Sequence, residues 1–199
     1  MSVTNVMVWE IHYSFTDKFN MIKKLIYSIL KKVMKSTTQK NSNQVSPATS
    51  IFNIEVKDIA GNTTSLEKYK GKKIIIVNVA SACGYTPQYA ELQKMYEEQN
   101  GNVVILGFPC NDFGAQEQAD ESTIQNFCSI NYGVTFPLYS KVNIKSSPIH
   151  PIYEWLSTPA LNGWNAQLPD WNFCKYVIDE EGKLEGFYSS AVHPNDLLK

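Results

Sequence analysis

The sequence of 199 residues contains no arginine, because all 18 of its basic residues are lysine. A planar guanidinium is therefore not available for bidentate recognition of a carboxylate or phosphate. The chain also lacks an excess of either charge, since 19 acidic residues bring the formal net charge to -1. Without a strong field of one sign, we expect binding neither to nucleic acid nor to strongly acidic substrates.

Cysteine is scarce as well. The four cysteines, Cys83, Cys110, Cys128 and Cys174, form no CxxC pair and have no nearby histidine at metal-ligand spacing, so we expect no metal site. A disulfide scaffold is also disfavoured, because a chain of this length can bury one substantial core without such links. We expect a single domain without a cofactor, with reduced thiols in a reducing compartment such as the cytoplasm.

Long apolar runs are missing from the first part of the chain. Residues 21–40 hold six lysines and no acidic residue, and their mostly apolar run at 25–30 is too short to span a bilayer. Lys31 and Lys32 interrupt this run before any cleavage site, which argues against a secretory signal peptide. We therefore expect no stable insertion into a membrane.

We interpret residues 1–49 as a lysine-rich extension that ends in a linker, and residues 50–199 as the folded domain. The linker is the polar, turn-rich stretch at 36–50. Three roles remain open for the extension: a solvated tail, a helix on a membrane surface, or a degenerate organellar targeting segment.

The hydrophobic pattern becomes regular from residue 51 onward. Residues 73–80 form a nearly continuous β-branched run, which is typical of a central strand covered by helices on both faces. The other predicted elements are a hairpin-like strand at 52–56, a helix from Pro87 to Gln99, a strand at 103–108, a helix capped by Asp120 or Ser122, and a hairpin over 171–188. This order predicts an α/β fold.

Cys83 directly follows the predicted central strand and precedes the helix that begins near Pro87. Such crossings are where open α/β sheets place reactive groups. The free N–H groups at the start of a helix favour thiolate over thiol, and Gly84 leaves room for a ligand. The alternative is a buried cysteine that serves only as a small hydrophobic residue.

Three segments of the chain resemble the signature motifs of glutathione peroxidases. They read NVASACGYT at 78–86, LGFPCNDFGAQE at 106–117 and WNF at 171–173. The resemblance covers residues 52–190, in order and with family-like separations, and leaves residues 1–49 outside. It implies a thioredoxin-like fold, with a central mixed β-sheet flanked by helices, and a peroxidase that reduces hydrogen peroxide and organic or lipid hydroperoxides.

The same resemblance implies a role for four residues. Cys83 matches the peroxidatic position, which is selenocysteine in some members, and Gln116, Trp171 and Asn172 match its polar partners. Amide and indole N–H groups can hold a thiolate and orient a peroxide without adding a competing nucleophile. Each partner has a plainer alternative: the tryptophan as a core aromatic, the asparagine as a turn residue and the glutamine as a surface amide.

Cys128 resembles the resolving cysteine of the family's thioredoxin-dependent members. This implies that peroxide oxidises Cys83 to a sulfenic acid, that Cys128 condenses with it to a disulfide, and that thioredoxin reduces this disulfide. Because Cys128 is expected within a helix, that helix and the loop near Gln116 must unwind. The absence of arginine makes glutathione the less favoured reductant. The short stretch between Val142 and Trp171 lacks the insertion of tetrameric members, which implies a monomer.

The chain departs from the family pattern at a few positions. Asp112 replaces the usual glutamine, residues 118–120 replace a Pro-Gly-Ser run, and the family usually continues beyond residue 199 into a closing helix. Cys110 and Cys174 are interpreted as packing residues. Two alternatives to an enzyme remain: a peroxide sensor that relays its disulfide to a partner protein, and a thioredoxin-fold binding module with inert thiols.

Overall fold

A mixed five-stranded sheet organises residues 37–199, which are the residues that the computed structural model describes. The predictions for residues 1–36 lie outside them. The strands are β1 (Thr38–Lys40), β2 (Glu55–Lys57), β3 (Thr63–Ser65), β4 (Lys73–Val79), β5 (Val103–Pro109), β6 (Lys175–Ile178) and β7 (Leu184–Tyr188). The order in the large sheet is β1-β7-β6-β4-β5, and β2 pairs with β3 as a separate antiparallel hairpin.

Helices cover both faces of the large sheet. They are α1 (Gln88–Glu98), α2 (Glu121–Tyr132), α3 (Pro151–Ser157) and α4 (Pro159–Asn162), with 3-10 turns at Ile51–Asn53, Leu66–Tyr69 and Pro194–Asp196. Buried side chains of α1 and α2 enter one apolar cluster, and those of α3 enter another. We call these the α1–α2 core and the α3 core. The predicted α/β architecture is confirmed.

Strand β4 is an interior strand of the sheet, parallel to β5 and antiparallel to β6. Because side chains alternate along a strand, Ile74 and Ile76 enter the α3 core. Ile75, Val77 and Val79 enter the α1–α2 core on the other face. The continuous β-branched run therefore reflects burial on both sides, as the sequence predicts.

Two segments differ from the prediction. Residues 51–53 form a 3-10 turn before β2, because the Ser50 hydroxyl accepts the Phe52 N–H and both Ile51 and Phe52 are buried. The expected linker at 36–50 contains β1, which pairs with β7 at the sheet edge. A polar segment can form such a strand, since the ladder uses backbone groups and not side-chain hydrophobicity.

Helix α2 has a defined cap at each end. The Asp120 carboxylate accepts the Thr123 N–H at 2.8 Å, which confirms Asp120 as the predicted N-cap. At the other end Gly133 adopts a φ of 62°, in the left-handed region, and donates to the Ser129 carbonyl at 3.0 Å. Cys128 therefore lies inside a helix, as expected.

Within residues 37–199, no helix is long and apolar enough to cross a membrane. The same residues contain no cluster of three or more histidine, cysteine or acidic side chains that could hold a metal ion.

Lys175 is a fully buried lysine at the start of β6. Its Nζ donates to the Val192 carbonyl at 2.5 Å and to the Ser190 carbonyl at 3.4 Å. The Ser190 hydroxyl in turn donates to the Asn172 carbonyl at 2.6 Å. Burial lowers the pKa of Lys175 to about 7, while electrostatic interactions with Cys174 and Glu91 oppose the change. Lys175 thus fastens the segment after β7 to the sheet near Asn172.

We expect the stability of the protein to rise with pH because of Lys175. Its pKa is about 7 when folded and 10.5 in the reference state, so the unfolded chain binds more protons between these values. Above about pH 7 the free energy of unfolding should therefore increase, by at most about 1.4 kcal/mol per pH unit. Urea unfolding of wild type and Lys175→Met at pH values between these two pKa values would measure this increase. If the free energy of unfolding rose equally with pH in both proteins, Lys175 would not be the cause of the increase.

Candidate active site

The loop after β4 holds Cys83 in a fixed position. The Thr86 hydroxyl accepts the Cys83 N–H at 3.0 Å and donates to the Ala80 carbonyl at 2.9 Å. The Tyr85 N–H donates to Cys83 Sγ at 3.4 Å, and Cys83 is 8% exposed. The sulfur therefore accepts an amide hydrogen bond from the turn just before α1.

Gln116 reaches this loop through its backbone. The Ala82 N–H, one residue before Cys83, donates to the Gln116 carbonyl at 3.1 Å. The Gln116 side chain is held from the other side, because Asn172 Nδ2 donates to Gln116 Oε1 at 3.0 Å. Asn172 Nδ2 also donates to the Phe113 carbonyl at 3.3 Å. Three segments that are distant in sequence thus meet at the residue next to Cys83.

Trp171 packs against the loop that carries Gln116. Its ring centroid lies 6.4 Å from that of Phe113, with the rings edge to face. A Cβ at Gly114 would lie 3.2 Å from Trp171 Cη2 and 3.6 Å from Gln116 Cγ. Gly114 also has a φ of +70°, so both its backbone and this close contact require glycine. Trp171 belongs to the same apolar surroundings as Cys83.

Asn78 joins the WNF segment to strand β4. Its Nδ2 donates to the Trp171 carbonyl at 2.9 Å, and its Oδ1 accepts the Cys174 N–H at 2.9 Å. Its backbone carbonyl accepts the Phe173 N–H at 2.6 Å. Asn78 belongs to the first motif, but no role for it was predicted from the sequence. The signal that could have revealed its role is a polar residue within an otherwise apolar strand.

Comparison with known proteins agrees with this arrangement. A family model described as "Glutathione peroxidase" matches residues 51–157. "Glutathione peroxidase-like peroxiredoxin 2" of Saccharomyces cerevisiae is 41% identical over 150 residues, covering 75% of this chain and 93% of that protein. The chain belongs to the glutathione peroxidase family. "Hydroperoxy fatty acid reductase gpx1" of Synechocystis is 38% identical, covering 74% of this chain and 90% of that protein.

Solved structures support both the family and the fold. The crystal structure of Trgpx in its apo form has a TM-score of 0.59 and 37% identity, covering 75% of this chain and 91% of that one. A DsbF homologue from Corynebacterium diphtheriae, at 17% identity, has a TM-score of 0.57 over 81% of this chain and 89% of its own. This second structure, with its low sequence identity, supports the fold but not the family. The predicted thioredoxin-like fold is confirmed.

In this glutathione peroxidase the sheet separates the four free thiols into two pairs. Cys83 and Cys128 lie in the α1–α2 core, whereas Cys110 and Cys174 lie in the α3 core. Burial raises the pKa of Cys110 to about 12 and that of Cys174 to about 11. These values favour the inert thiol form, which agrees with the interpretation of Cys110 and Cys174 as packing residues.

Cys128 is fully buried in α2. Burial raises the pKa of its thiol to about 11, with the nearby Tyr89 hydroxyl acting against this change and the negative charge of Glu117 adding to it. Glu117 follows Gln116 directly and is itself buried, which the sequence analysis did not anticipate. The structure therefore places Cys128 on the same side of the sheet as Cys83, but as a protonated thiol within a helix.

Asp112, where this chain departs from the glutathione peroxidase pattern, fastens the site loop to a second loop. Its Oδ2 accepts the N–H groups of Ile144, Lys145 and Ser146 at 2.7, 2.8 and 3.1 Å. Its Oδ1 accepts the Ser146 hydroxyl at 2.6 Å. Lys145 is thereby held with its Nζ 4.6 Å from the centroid of the Phe113 ring. A carboxylate serves here because every partner is a donor.

We expect Asp112→Asn to lower the free energy of unfolding by about 1–2 kcal/mol at neutral pH, since the carboxylate is partly exposed to solvent. Burial alone would raise the pKa of Asp112, but the bonds from Ser146, Lys145 and Ile144 lower it from 3.8 to about 2. The stabilisation by the Asp112 carboxylate is thus present above pH 3.8 and disappears as the pH falls towards 2. Denaturant unfolding of both proteins should reveal a difference that shrinks with acid. A constant difference would mean that ionisation of Asp112 plays no part.

Proposed function

We propose that this chain is a thiol peroxidase in which Cys83 reduces hydrogen peroxide and organic or lipid hydroperoxides. One observation carries the proposal: the hydrogen bonds from Ala82 to Gln116 and from Asn172 to Gln116 bring three distant motifs to the loop of Cys83. The names of the two relatives, a peroxiredoxin and a hydroperoxy fatty acid reductase, agree with it.

In the first step the Cys83 thiolate attacks the O–O bond of the peroxide. The S–O bond forms as the O–O bond breaks, the distal oxygen leaves as water or an alcohol once protonated, and the sulfur becomes a sulfenic acid. The Tyr85 N–H at 3.4 Å stabilises the attacking thiolate. No metal or organic cofactor is required, because the two electrons come from the sulfur.

The two amides near Cys83 have different tasks. Both hydrogens of Asn172 Nδ2 are used, one by Gln116 Oε1 and one by the Phe113 carbonyl. With its oxygen held in this way, Gln116 retains its Nε2 as a donor towards the sulfur or the peroxide. We therefore propose that Asn172 orients Gln116, and that the Gln116 Nε2 and the indole N–H of Trp171 are the donors to the reacting atoms, as the family resemblance implies.

Cys128 resolves the sulfenic acid in the second step, forming a disulfide with Cys83 and releasing water. Because linked cysteines need Cα atoms within about 7 Å of each other, α2 must open to bring Cys128 to the site. The helix suits this motion, since Ile124 and Cys128 are its only buried residues. Opening α2 therefore breaks the contacts of these two residues and of the partly buried Phe127 and Tyr132 with the α1–α2 core.

Thioredoxin is the reductant that best fits this disulfide, by thiol–disulfide exchange. Glutathione carries carboxylates that arginine would bind in a bidentate manner, and this sequence has no arginine. We extend the proposal to a monomer that works in the cytoplasm. The short segment between Val142 and Trp171 supports the first point, and the free thiols support the second.

We expect Cys83→Ser to abolish peroxide reduction, because serine cannot form a comparable nucleophile at neutral pH. Cys128→Ser should retain a single turnover, since the sulfenic acid still forms, but should not cycle with thioredoxin. Cys110→Ser is the matched control, as it removes a buried thiol on the other face of the sheet. Peroxide consumption by the three variants and the wild type distinguishes these outcomes. Normal cycling of Cys128→Ser would overturn the resolving role.

We expect sustained turnover with thioredoxin and its reductase, and much slower turnover with glutathione. A steady-state assay of the purified protein, with hydrogen peroxide and a lipid hydroperoxide in parallel, measures the preferred reductant and the preferred peroxide. A single stoichiometric oxidation without turnover would instead support the alternative function, a sensor that passes its disulfide to a partner protein. Equal rates with glutathione would contradict the choice of reductant.

A further inference from the structure

Ser190 is a buried residue that connects both halves of the candidate active site. It lies in the segment after β7, outside the three signature motifs, and is 0% exposed. Its hydroxyl donates to the Asn172 carbonyl at 2.6 Å, and its carbonyl accepts a hydrogen bond from Gln88 Nε2 at 2.8 Å. Asn172 belongs to the WNF turn, and Gln88 is the first residue of α1. One residue therefore bridges the WNF turn and the helix that follows Cys83.

Gln88 leads from Ser190 to the reactive sulfur. The Gln88 backbone N–H donates to the Tyr85 carbonyl at 2.9 Å, and the Tyr85 N–H donates to Cys83 Sγ at 3.4 Å. The Gln88 side chain is buried, and its Oε1 has no partner in the part of the chain that the structure describes. The bond to Ser190 therefore orients this carboxamide and holds the first turn of α1 against the segment after β7.

Asn172 leads from Ser190 to the second half of the site. Both hydrogens of its Nδ2 are donated, to Gln116 Oε1 and to the Phe113 carbonyl, whereas its Oδ1 is buried and has no partner among the described residues. The side chain is thus held through its nitrogen alone, and its direction depends on where the backbone lies. The Ser190 hydroxyl fixes that backbone at the carbonyl. If Asn172 moved, Gln116 would move with it.

The hydroxyl of Ser190 has a single proton to donate. The Asn172 carbonyl can only accept, so this proton is committed to it. Cys174 Sγ lies 3.6 Å from the same hydroxyl, and the Cys174 thiol also donates to the Asp170 carboxylate at 3.2 Å. The Ser190 proton is therefore used by the WNF turn, while the hydroxyl oxygen can accept from the Cys174 thiol.

The segment around Ser190 is fixed from the sheet. Lys175, fully buried at the start of β6, donates through its Nζ to the Val192 carbonyl at 2.5 Å and to the Ser190 carbonyl at 3.4 Å. In addition, the Ser189 hydroxyl accepts the Thr37 N–H at 2.9 Å. These bonds hold the backbone of Ser190 in place, so that its hydroxyl meets the WNF turn at a fixed position.

We propose that Ser190 is a positioning residue for the reaction of Cys83 with peroxide. This inference deepens the proposed function and rests on it. By bridging α1 and the WNF turn, Ser190 sets the separation between the sulfur and the donors proposed to act there, Gln116 Nε2 and the Trp171 indole. Such donors stabilise a transition state only when they are held in place, and a small displacement slows the reaction. Ser190 thus acts through its two partners and not on the reacting atoms.

We expect Ser190→Ala to slow the oxidation of Cys83 by peroxide about tenfold, as the loss of one hydrogen bond that holds the site implies. Ser189→Ala is the matched control, because it removes the hydroxyl of a neighbouring buried serine whose partner is the backbone of Thr37. Its rate should equal that of the wild type. Equal slowing by the two substitutions would overturn the inference, since it would indicate a general loosening of the segment.

The measurement uses the full reduced chain mixed with an excess of hydrogen peroxide at several concentrations. Samples quenched in acid at intervals are analysed for the remaining Cys83 thiol, which gives the rate constant of the first step alone. A wild type that keeps this thiol would overturn the proposed peroxidase itself. A wild type that loses it, with Ser190→Ala equally fast, would overturn only the role of Ser190.

Ser190→Thr and Ser190→Val separate the hydroxyl from the shape of the side chain. Threonine and valine have nearly the same shape, so crowding in the buried segment affects both variants, but only threonine keeps the donor to Asn172. We expect Cys83 to react about tenfold faster in Ser190→Thr than in Ser190→Val. If the two rates were equal, the hydrogen bond to Asn172 would play no part in positioning the site.

A double-mutant cycle with Gln116→Ala tests the route from Ser190 to the sulfur. Gln116→Ala removes the side-chain oxygen to which Asn172 donates. If Ser190 acts through Asn172 and Gln116, Ser190→Ala should slow Cys83 oxidation less in the Gln116→Ala protein than in the wild type. An equal loss in both backgrounds would show that Ser190 acts elsewhere and would overturn the inference.

Discussion

The hydrogen bonds of Asn78 are the constraint on which the arrangement of the site depends. Asn78 is fully buried near the end of β4, five residues before Cys83, and it binds the carbonyl of Trp171 and the N–H groups of Phe173 and Cys174. These bonds fix the WNF turn to the same strand that delivers the reactive sulfur. A residue with one fewer polar group would leave buried partners unpaired, at about 1–3 kcal/mol each. The positions of Trp171 and Cys83 are therefore not independent.

The sheet imposes a second constraint, because it divides the thiols between two cores. Cys110 and Cys174 enter the α3 core, on the face of the sheet away from the core of Cys83. Cys83 and Cys128 share the α1–α2 core. The face of the sheet on which each thiol is buried thus decides which thiols can meet.

The sequence predicts most of the fold, since the β-branched run at 73–80, the cap at Asp120 and the three motifs each have a local signal. It does not predict β1, because an edge strand of polar residues is defined by backbone pairing with β7 and carries no hydrophobic pattern. It also does not predict that Asn172 uses its amide hydrogens on Gln116 and Phe113. Such pairings depend on which side chains become neighbours after folding.

The way in which α2 is held explains why Cys128 can be both buried and reactive. Helix α2 is held by its caps, by the buried Ile124 and Cys128, and by the partly buried Phe127 and Tyr132, and burial of one aliphatic side chain contributes only about 1.5–3 kcal/mol. Opening α2 is therefore a modest cost compared with the breakdown of the sheet, and the covalent bond to Cys83 would trap the open form. A cysteine on a strand such as β6, surrounded on both faces, could not move in this way. The mobility that the chemistry requires thus follows from how little of α2 is buried.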